Sequence, residues 1–225
     1  MKILVWGAKL KARLLLNLIS QPKSLGIKKK ITFSGLFDPK LNKPIFDSKI
    51  KFYNKKKDLK NLIKKSEYFI CCIGPNKSRY YISEKLSQLK VKPLDIINKY
   101  TNIDRSVKIG RGVQIMPNVV INSFCKIGDF CIINTSATID HDCLIGDGVH
   151  IMGGASIAGN VKIGSYATIG TNSTIFPNIE IGESSIVGAG AVVNKNVPKN
   201  TVVVGNPAKF LKKNYERFNL DIFNS

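Results

Sequence analysis

A six-residue period of hydrophobic positions runs from Val107 to Val193 without interruption. Every sixth position from 109 to 181 is Ile, and positions 187 and 193 are Val. The position two residues earlier in each unit carries a small or medium side chain, such as Cys125 or Ala137. Residues two apart on a strand point to the same face, so both positions face one side of a short strand. Because one hexapeptide cannot bury its own Ile, the repeat predicts stacked units that share a core, which is a parallel β-helix.

The first hundred residues follow a different pattern, in which apolar strands alternate with helical segments. We expect strands over Met1–Ala8, Ile31–Phe37 and Tyr68–Ile73 and helices over Lys11–Ser20 and Ser78–Leu89. This alternation predicts a small parallel α/β unit. The carboxyl ends of its strands, where Gly7, Asp38 and Gly74 lie, are the expected ligand end.

The two patterns divide the chain into three parts. We expect an α/β domain over residues 1–100, a β-helix over residues 101–208 and a short C-terminal helix and tail over residues 209–225, because the repeat ends at Gly205-Asn206-Pro207. No apolar run is long enough to span a membrane, and Ile3–Ala8 is too short for the apolar region of a signal peptide. The sequence therefore predicts a soluble, cytoplasmic protein.

Positive charge is concentrated in the first part. Residues 1–100 hold 24 Lys+Arg and 6 Asp+Glu, a net charge of +18, whereas residues 101–225 hold 11 and 9, a net charge of +2. A basic α/β unit suits an anionic ligand such as a nucleotide diphosphate. The alternative is a solvated lysine-rich surface with no specific ligand. Nucleic acid is disfavoured, because no RNP-like, zinc-finger or helix-turn-helix signature accompanies the charge.

Three of the five cysteines fall at inward positions of the repeat. Cys125, Cys131 and Cys143 are expected to be buried thiols that pack as small hydrophobic side chains. The odd number of cysteines and the lack of a CxxC pair argue against a redox or metal motif.

The candidate chemistry lies where the chain carries its two histidines. His141 stands at an outward turn position of its hexapeptide, between Asp140 and Asp142. A carboxylate beside an imidazole fixes the tautomer of the ring and raises its basicity, as a general base requires. His141 is therefore a candidate base, and a purely structural solenoid would give no reason for Asp-His-Asp at an outward corner.

The motifs around these histidines resemble the bacterial hexapeptide-repeat sugar acetyltransferases. The segments that carry the resemblance are NTSATIDHDC at 134–143, GVHIMGGASIAGNVKIG at 148–164, GTNSTIFPNIEIG at 170–182, VGAGAVV at 187–193 and VVVGNPAK at 202–209. The family includes N-acetyltransferases of UDP-4-amino-sugars on the bacillosamine pathway and sialic acid O-acetyltransferases. The resemblance covers nearly the whole chain. It implies a left-handed β-helix with three hexapeptides per coil, preceded by an α/β nucleotide-sugar-binding domain.

The resemblance also implies roles for individual residues. His141 matches the catalytic base, Asp142 the acidic residue that orients it, and Asn134 a polar residue on the substrate side. His150 matches a second histidine near the acetyl thioester, and the backbone N–H of Gly159 matches the donor to the thioester carbonyl.

Acetyl-CoA is the implied co-substrate, and no metal is implied. The pantetheine would pair with main chain near Ala158, Gly159 and Thr171. The adenine end would lie near Gly188, Ala189 and Lys195.

In the α/β domain, Asp38 matches the acidic residue that contacts the nucleoside, and Gly74, Asn76 and Arg79 match a turn near the nucleotide. One motif departs from the family, which usually has a glycine-rich turn after its first strand with a further Gly and often a His. Here the turn reads Gly7-Ala8-Lys9-Leu10-Lys11-Ala12, so the resemblance does not imply close approach of the backbone to a phosphate at this turn. Lys9 and Lys11 are the cations that could substitute.

The spacing of the histidines predicts the assembly. His141 and His150 are nine residues apart, which is half of an 18-residue coil, so one chain places them on different sides of the triangle. They could meet only across a subunit boundary. We therefore expect a homotrimer with the active site between neighbouring β-helices.

These observations favour an acetyl-CoA-dependent N-acetyltransferase of a nucleotide-linked amino sugar, acting in bacterial surface glycan synthesis. O-acetylation of a sugar such as sialic acid is the alternative within the same machinery. A zinc enzyme of the carbonic-anhydrase type is disfavoured, because it needs three His ligands for each zinc and the chain has two histidines.

Overall fold

The computed structural model describes residues 1–20, 25, 30–215 and 221–223. The chain divides into two compact units, one formed by residues 1–94 with the described part of 218–225, and one formed by residues 95–217. The predicted boundary at residue 101 thus lies a few residues late. The signal was present in the sequence, because Ile97 and Ile103 already continue the six-residue period of the repeat.

The first unit contains a five-stranded parallel sheet. Its strands are β1 (Lys2–Trp6), β2 (Thr32–Phe37), β3 (Phe52–Tyr53), β4 (Tyr68–Cys71) and β5 (Lys92–Pro93). Its helices are α1 (Leu10–Ile19), α2 (Lys56–Lys65) and α3 (Asn76–Gln88). The strand order is β3-β2-β1-β4-β5, and every pair is parallel, which confirms the α/β prediction. The sequence analysis missed β3, α2 and β5.

The strand order reverses at the centre of this sheet. From β1 the chain proceeds outward to β2 and β3, and then returns to add β4 and β5 on the other side. In open α/β sheets, ligands bind beyond the carboxyl ends of the strands at such a reversal. Gly7 follows β1 and Gly74 follows β4, so both turns lie at this crevice.

The second unit is a β-helix built mostly from two-residue strands. They are β6 (Ile96–Ile97), β7 (Asn102–Ile103), β8 (Lys108–Ile109), β9 (Gln114–Ile115), β10 (Val120–Ile121), β11 (Lys126–Ile127), β12 (Ile132–Ile133), β13 (Thr138–Ile139), β14 (Leu144–Ile145), β15 (His150–Ile151), β16 (Ser156–Ile157), β17 (Lys162–Ile163), β18 (Thr168–Ile169), β19 (Thr174–Ile175), β20 (Glu180–Ile181), β21 (Ile186–Val187) and β22 (Val192–Val193). Two longer strands follow, β23 (Thr201–Val204) and β24 (Lys209–Lys213).

These strands form three sheets, the faces of a left-handed prism. Face A contains β6, β9, β12, β15, β18, β21, β23 and β24; face B contains β7, β10, β13, β16, β19 and β22; face C contains β8, β11, β14, β17 and β20. Residues 18 apart pair in parallel register, as Ile133 does with Ile151. The predicted coil of three hexapeptides is confirmed.

The inward positions form one core of Ile and small side chains along the prism. Cys125, Cys131 and Cys143 are fully buried reduced thiols within it, as predicted. The Cys125 Sγ donates to the Asp140 carbonyl at 2.9 Å, and the Cys143 Sγ donates to the Ala158 carbonyl at 3.2 Å. These thiols thus also satisfy backbone acceptors of the turns around His141.

Each turn of the prism contains one residue with a left-handed backbone. From Gly112 to Gly190, every sixth residue has a positive φ. Gly, Asn and Asp adopt this conformation at the lowest cost, and several of these positions carry Gly or Asn. Asp142 occupies one of them, with φ 58°, so the repeat itself fixes the backbone beside His141.

The end of the prism differs from the prediction. A helix was expected from residue 209, but Lys209–Lys213 form β24, which pairs antiparallel with β23. The physical reason is that β23 ends face A with an edge, whose free N–H and C=O groups β24 satisfies. Of the rest of the predicted helix and tail, residues 221–223 form a 3₁₀ turn, and residues 216–220 and 224–225 lie outside the described residues.

Within the described ranges, the helices are all too short or too polar to cross a membrane.

Candidate active site

His141 lies on the corner between faces B and C, in the turn from β13 to β14. Its Nδ1 is 2.8 Å from the Asp142 Oδ2, and both side chains are a little over half exposed, at 56% and 55%. An ionised carboxylate can only accept a hydrogen bond, so Nδ1 carries the ring proton and donates a hydrogen bond to Asp142. The Nε2 then carries the lone pair that can accept a proton, as a general base requires.

Asp140 supports the same turn in a different way. Its Oδ1 accepts from the His141 backbone N–H at 2.8 Å and from the Asn122 Nδ2 at 2.9 Å. These bonds hold the backbone of His141 rather than its ring, and they lower the pKa of Asp140. Asn122 was not identified from the sequence; its position 18 residues before Asp140, one coil away, is the signal that points to it.

The pKa of the His141 imidazole is raised above its ordinary value. The hydrogen bond to Asp142 is the largest cause, and the negative charge of Asp140 is the next. Both effects stabilise the imidazolium, so they make Nε2 a stronger proton acceptor.

Gly159 lies one coil beyond His141 on the same corner, and the Asn160 N–H donates to the His141 carbonyl at 2.9 Å. A Cβ at Gly159 would come within 2.7 Å of the His141 Cε1 and Nε2 atoms. The imidazole therefore lies directly against the Gly159 backbone, and a side chain at this position would displace the ring. Within the described part of the chain, nothing accepts a hydrogen bond from the Gly159 N–H, so it can donate to a ligand beside Nε2.

Ala158 lies in the same turn, but both of its backbone polar groups already form hydrogen bonds. Its N–H donates to the Ile175 carbonyl at 3.1 Å, and its carbonyl accepts from Cys143. The predicted pantetheine contact at this residue is therefore restricted to the remaining lone pair of the carbonyl. Lys195 is exposed, in the turn that follows β22 on the same corner.

His150 lies on face A, in β15, with its ring close to Asn134. Its Nε2 is 3.3 Å from the Asn134 Nδ2, which pairs two residues that the sequence analysis assigned separately. His141 projects from the corner of faces B and C, so the two histidines belong to different sides of one chain, as their spacing predicted.

The remaining predicted coenzyme residues lie on the corner between faces A and B. Thr171 and Ala189 are exposed there, and Gly188 is half-buried. The Gly190 N–H donates to the Thr171 carbonyl at 2.8 Å, which stacks these two turns. One chain therefore brings Thr171, Gly188 and Ala189 together, but on a different corner from His141 and Gly159.

In the first unit, the turn after β1 is bound to the end of β2. Gly7, at φ 104°, donates its N–H to the Phe37 carbonyl at 2.8 Å, and the Ala8 N–H donates to the Asp38 Oδ2 at 3.0 Å. Asp38 is buried, and its Oδ1 accepts from the Lys40 N–H. Asp38 was predicted to contact a nucleoside; the structure shows it holding the Gly7–Ala8 turn in place.

The turn after β4 contains the other predicted group. The Arg79 side chain is buried, and its guanidinium donates to the Gly74 carbonyl at 3.1 Å and to the Asn76 Oδ1 at 2.9 Å. Gly74, Asn76 and Arg79 thus form one hydrogen-bonded cluster at the start of α3, on the crevice side of the sheet. Lys9 is exposed just before α1, whereas the Nζ of Lys11 is buried.

A metal centre finds no support in the described residues, because no three of their His, Cys, Asp or Glu side chains are placed to hold an ion. The five cysteines are buried, and none forms a disulfide.

Comparison with known proteins supports the fold. The family model of the bacterial transferase hexapeptide (six repeats) matches residues 106–141 and 142–177. Comparison with curated proteins gave no sequence match.

Several solved structures are similar over nearly their whole length. The acetyltransferase domain of PglB from Neisseria gonorrhoeae, in complex with acetyl coenzyme A, is 30% identical, with a TM-score of 0.81 over 93% of this chain and 98% of that one. WeeI from Acinetobacter baumannii is 30% identical, with a TM-score of 0.80 over 94% and 100%. A variant of GDP-perosamine N-acetyltransferase from Caulobacter crescentus, in complex with CoA and GDP-perosamine, is 26% identical, with a TM-score of 0.83 over 95% and 98%.

Proposed function

The chain belongs to the hexapeptide-repeat sugar acetyltransferases, and from this membership we propose that it transfers the acetyl group of acetyl-CoA to the amine of a nucleotide-linked amino sugar. The observation that carries the proposal is the arrangement of His141, Asp142 and Gly159. It joins a base with a fixed tautomer to a free backbone donor on one corner of the prism. Similar chains that are named N-acetyltransferases support the amine as the acceptor.

The proposed reaction begins when the sugar amine attacks the thioester carbonyl. A C–N bond forms, and the tetrahedral species carries a positive charge on nitrogen and a negative charge on oxygen. The His141 Nε2 takes the proton from nitrogen, while Asp142 holds the ring and stabilises the imidazolium. The C–S bond then breaks, and the thiolate of CoA leaves with a proton returned by the imidazolium.

The Gly159 N–H is the proposed donor to the developing oxyanion. It lies against the imidazole, so the proton acceptor and the oxyanion donor can contact the nitrogen and the oxygen of the same tetrahedral species. A donor of this kind stabilises charge that develops only in the transition state, and so it raises kcat rather than only tightening binding.

The active enzyme is proposed to be a homotrimer. His141 and Gly159 lie on one corner of the prism, whereas Thr171, Gly188 and Ala189 lie on another and His150 lies on face A. A groove between neighbouring prisms would place both sets of residues on one acetyl-CoA molecule. Sedimentation equilibrium should give three times the chain mass at micromolar concentration; an active monomer would contradict the shared groove.

The first unit is proposed to bind the nucleotide at the crevice beyond β1 and β4. Its net charge and the cluster of Gly74, Asn76 and Arg79 at the start of α3 support this assignment. We further propose that the enzyme works in the cytoplasm, where its acetyl-CoA donor is made, on a precursor of a bacterial surface glycan.

The decisive experiment offers the protein acetyl-CoA and a panel of UDP-, dTDP- and GDP-linked amino sugars, and follows release of the CoA thiol. The matched control is the same nucleotide sugar with a hydroxyl in place of the amine. Thiol release with an amino sugar alone supports N-transfer. Equal or faster release with the hydroxyl sugar would establish the O-acetyltransferase alternative, and no release from any acceptor would overturn the proposal.

A further inference from the structure

The terminal amine of Lys11 is buried and has no hydrogen-bond partner among the described residues. The side chain leaves α1 half-exposed, but its Nζ is inaccessible to solvent and has no hydrogen bond to any described residue. An amine that loses its water and gains no acceptor costs several kcal/mol if it stays charged. Buried polar groups in proteins are nearly always hydrogen-bonded, so an exception such as this one calls for a functional explanation.

The groups that face Lys11 cannot balance its charge. They are Arg79, on α3, and the thiols of Cys71 and Cys72, at the end of β4. Burial raises the pKa of both thiols, so they stay neutral, and Arg79 adds a second positive charge. Burial first and Arg79 second lower the pKa of Lys11 to about 7. Lys11 is therefore partly deprotonated near neutral pH in the free protein.

Lys11 and Arg79 lie where a ligand is expected to bind in this type of sheet. Lys11 lies in the first turn of α1 and Arg79 in the first turn of α3, the helices that follow β1 and β4 at the reversal of the strand order. Helix N-termini and such crevices favour anions. The amides of Gly7 and Ala8, which a glycine turn would offer to a phosphate, already donate to Phe37 and Asp38.

We infer that Lys11 and Arg79 together bind the diphosphate of the nucleotide sugar, and that Lys11 takes up a proton from solvent as this anion enters. The inference rests on the proposed function only in taking a nucleotide sugar as the ligand. The neutral amine gains one proton and becomes an ammonium that donates to the phosphate oxygens. A diphosphate that is esterified at both ends has no proton to exchange near neutrality, so the protein alone accounts for the uptake.

Proton uptake gives the binding a defined dependence on pH. The bound anion raises the pKa of Lys11 above its value of about 7 in the free protein. Binding is therefore strongest below pH 7 and weakens as the pH rises above it, by up to tenfold per unit. Arg79 stays charged throughout, and the neutral thiols of Cys71 and Cys72 add no dependence in this range.

The test is calorimetry with the nucleotide sugar that the enzyme acetylates, at pH 8 in two buffers of different ionisation enthalpy. The intact protein should take up close to one proton for each nucleotide bound. Lys11→Met should lose this uptake and bind about 10- to 100-fold more weakly, the range for a lost hydrogen bond to a charged group. Arg13→Met removes an exposed cation from the same helix and should keep both uptake and affinity.

A second measurement separates binding from folding. Lys11→Met removes a buried group without a partner, so its thermal unfolding temperature without ligand should equal or exceed that of the intact protein. Lys11→Met that binds as tightly as Arg13→Met, or intact protein that binds without proton uptake, would overturn the inference while leaving the proposed function intact. Failure of the intact protein to bind any nucleotide sugar would instead refute the proposed substrate class and the inference with it.

Discussion

The two units of the chain position their functional groups by opposite means. In the β-helix, one backbone rule repeats every 18 residues, so a residue's place in the hexapeptide determines which corner or face it occupies. In the first unit, the candidate groups lie in the turns and first helical turns that follow β1, β2 and β4, and groups distant in the chain become neighbours, as Lys11 and Arg79 show. In a periodic fold, local sequence therefore predicts where a site residue lies, whereas in a crevice between strand ends it does not.

This difference predicts where a single substitution will stop the reaction. We expect the largest effect from His141→Ala, which removes the proton acceptor from the B–C corner of the prism. The rate constant kcat should fall by about 10²- to 10⁴-fold, the usual contribution of general acid–base catalysis, with a smaller change in the KM for acetyl-CoA. The measurement is thiol release under saturating substrates at neutral pH. If kcat stays near that of the intact enzyme, the base lies elsewhere, and His150 is the imidazole to test next.

A smaller loss is expected from Gly159→Ala, because its Cβ would come within 2.7 Å of the His141 ring. The imidazole must then move, and a displacement of about 1 Å in an active site can cost up to about 10²-fold in rate. The corner is solvent-exposed on one side, so we expect kcat to fall while the unfolding temperature changes little. Steady-state kinetics and thermal unfolding of the same variant provide both values.

The double variant shows which function of Gly159 the substitution disturbs. With His141→Ala already in place, an added Cβ has no ring to displace, so Gly159→Ala should lower the residual rate little further. A full additional loss would mean that the substitution acts on the oxyanion donor rather than on the base.

The sequence alone was sufficient to predict the prism and the outward position of His141 on it. The six-residue period placed Cys125 inside and His141 outside, and the structure has them so. What escaped prediction depended on contacts between elements that the sequence does not mark. The hydrogen bond from Ala8 to Asp38 joins residues 30 apart, and it gives Asp38 a structural role in the turn that the local sequence did not indicate. Helix α2 was missed because its many lysines concealed the buried pair of Leu59 and Leu62.

A weaker effect, visible mainly as a function of pH, is expected from Asp142→Asn. The amide keeps the shape of the side chain but removes the largest cause of the raised pKa of His141. The base is active above this pKa, so the acid limb of the profile of kcat/KM should move to lower pH. Because the imidazole also loses the carboxylate that orients it and raises its basicity, kcat at neutral pH should fall by about 10-fold. Asp140→Asn is the matched control and should move the limb in the same direction by less. An unchanged limb in both variants would mean that another group sets it.

The smallest effect is expected from the exposed lysines, which make up much of the charge difference between the units. Lys56, Lys57 and Lys60 lie exposed on α2, which follows the edge strand β3 rather than β1 or β4 at the reversal of the strand order. Charges in water are screened within about 10 Å at 0.1 M salt, so these lysines should contribute little to a bound diphosphate. Replacing all three with Gln should change the nucleotide-sugar Kd by less than about 3-fold, against about 10- to 100-fold for Lys11→Met. A loss from the triple variant that equals that of Lys11→Met would mean that the overall charge of the unit, rather than its buried cations, holds the nucleotide.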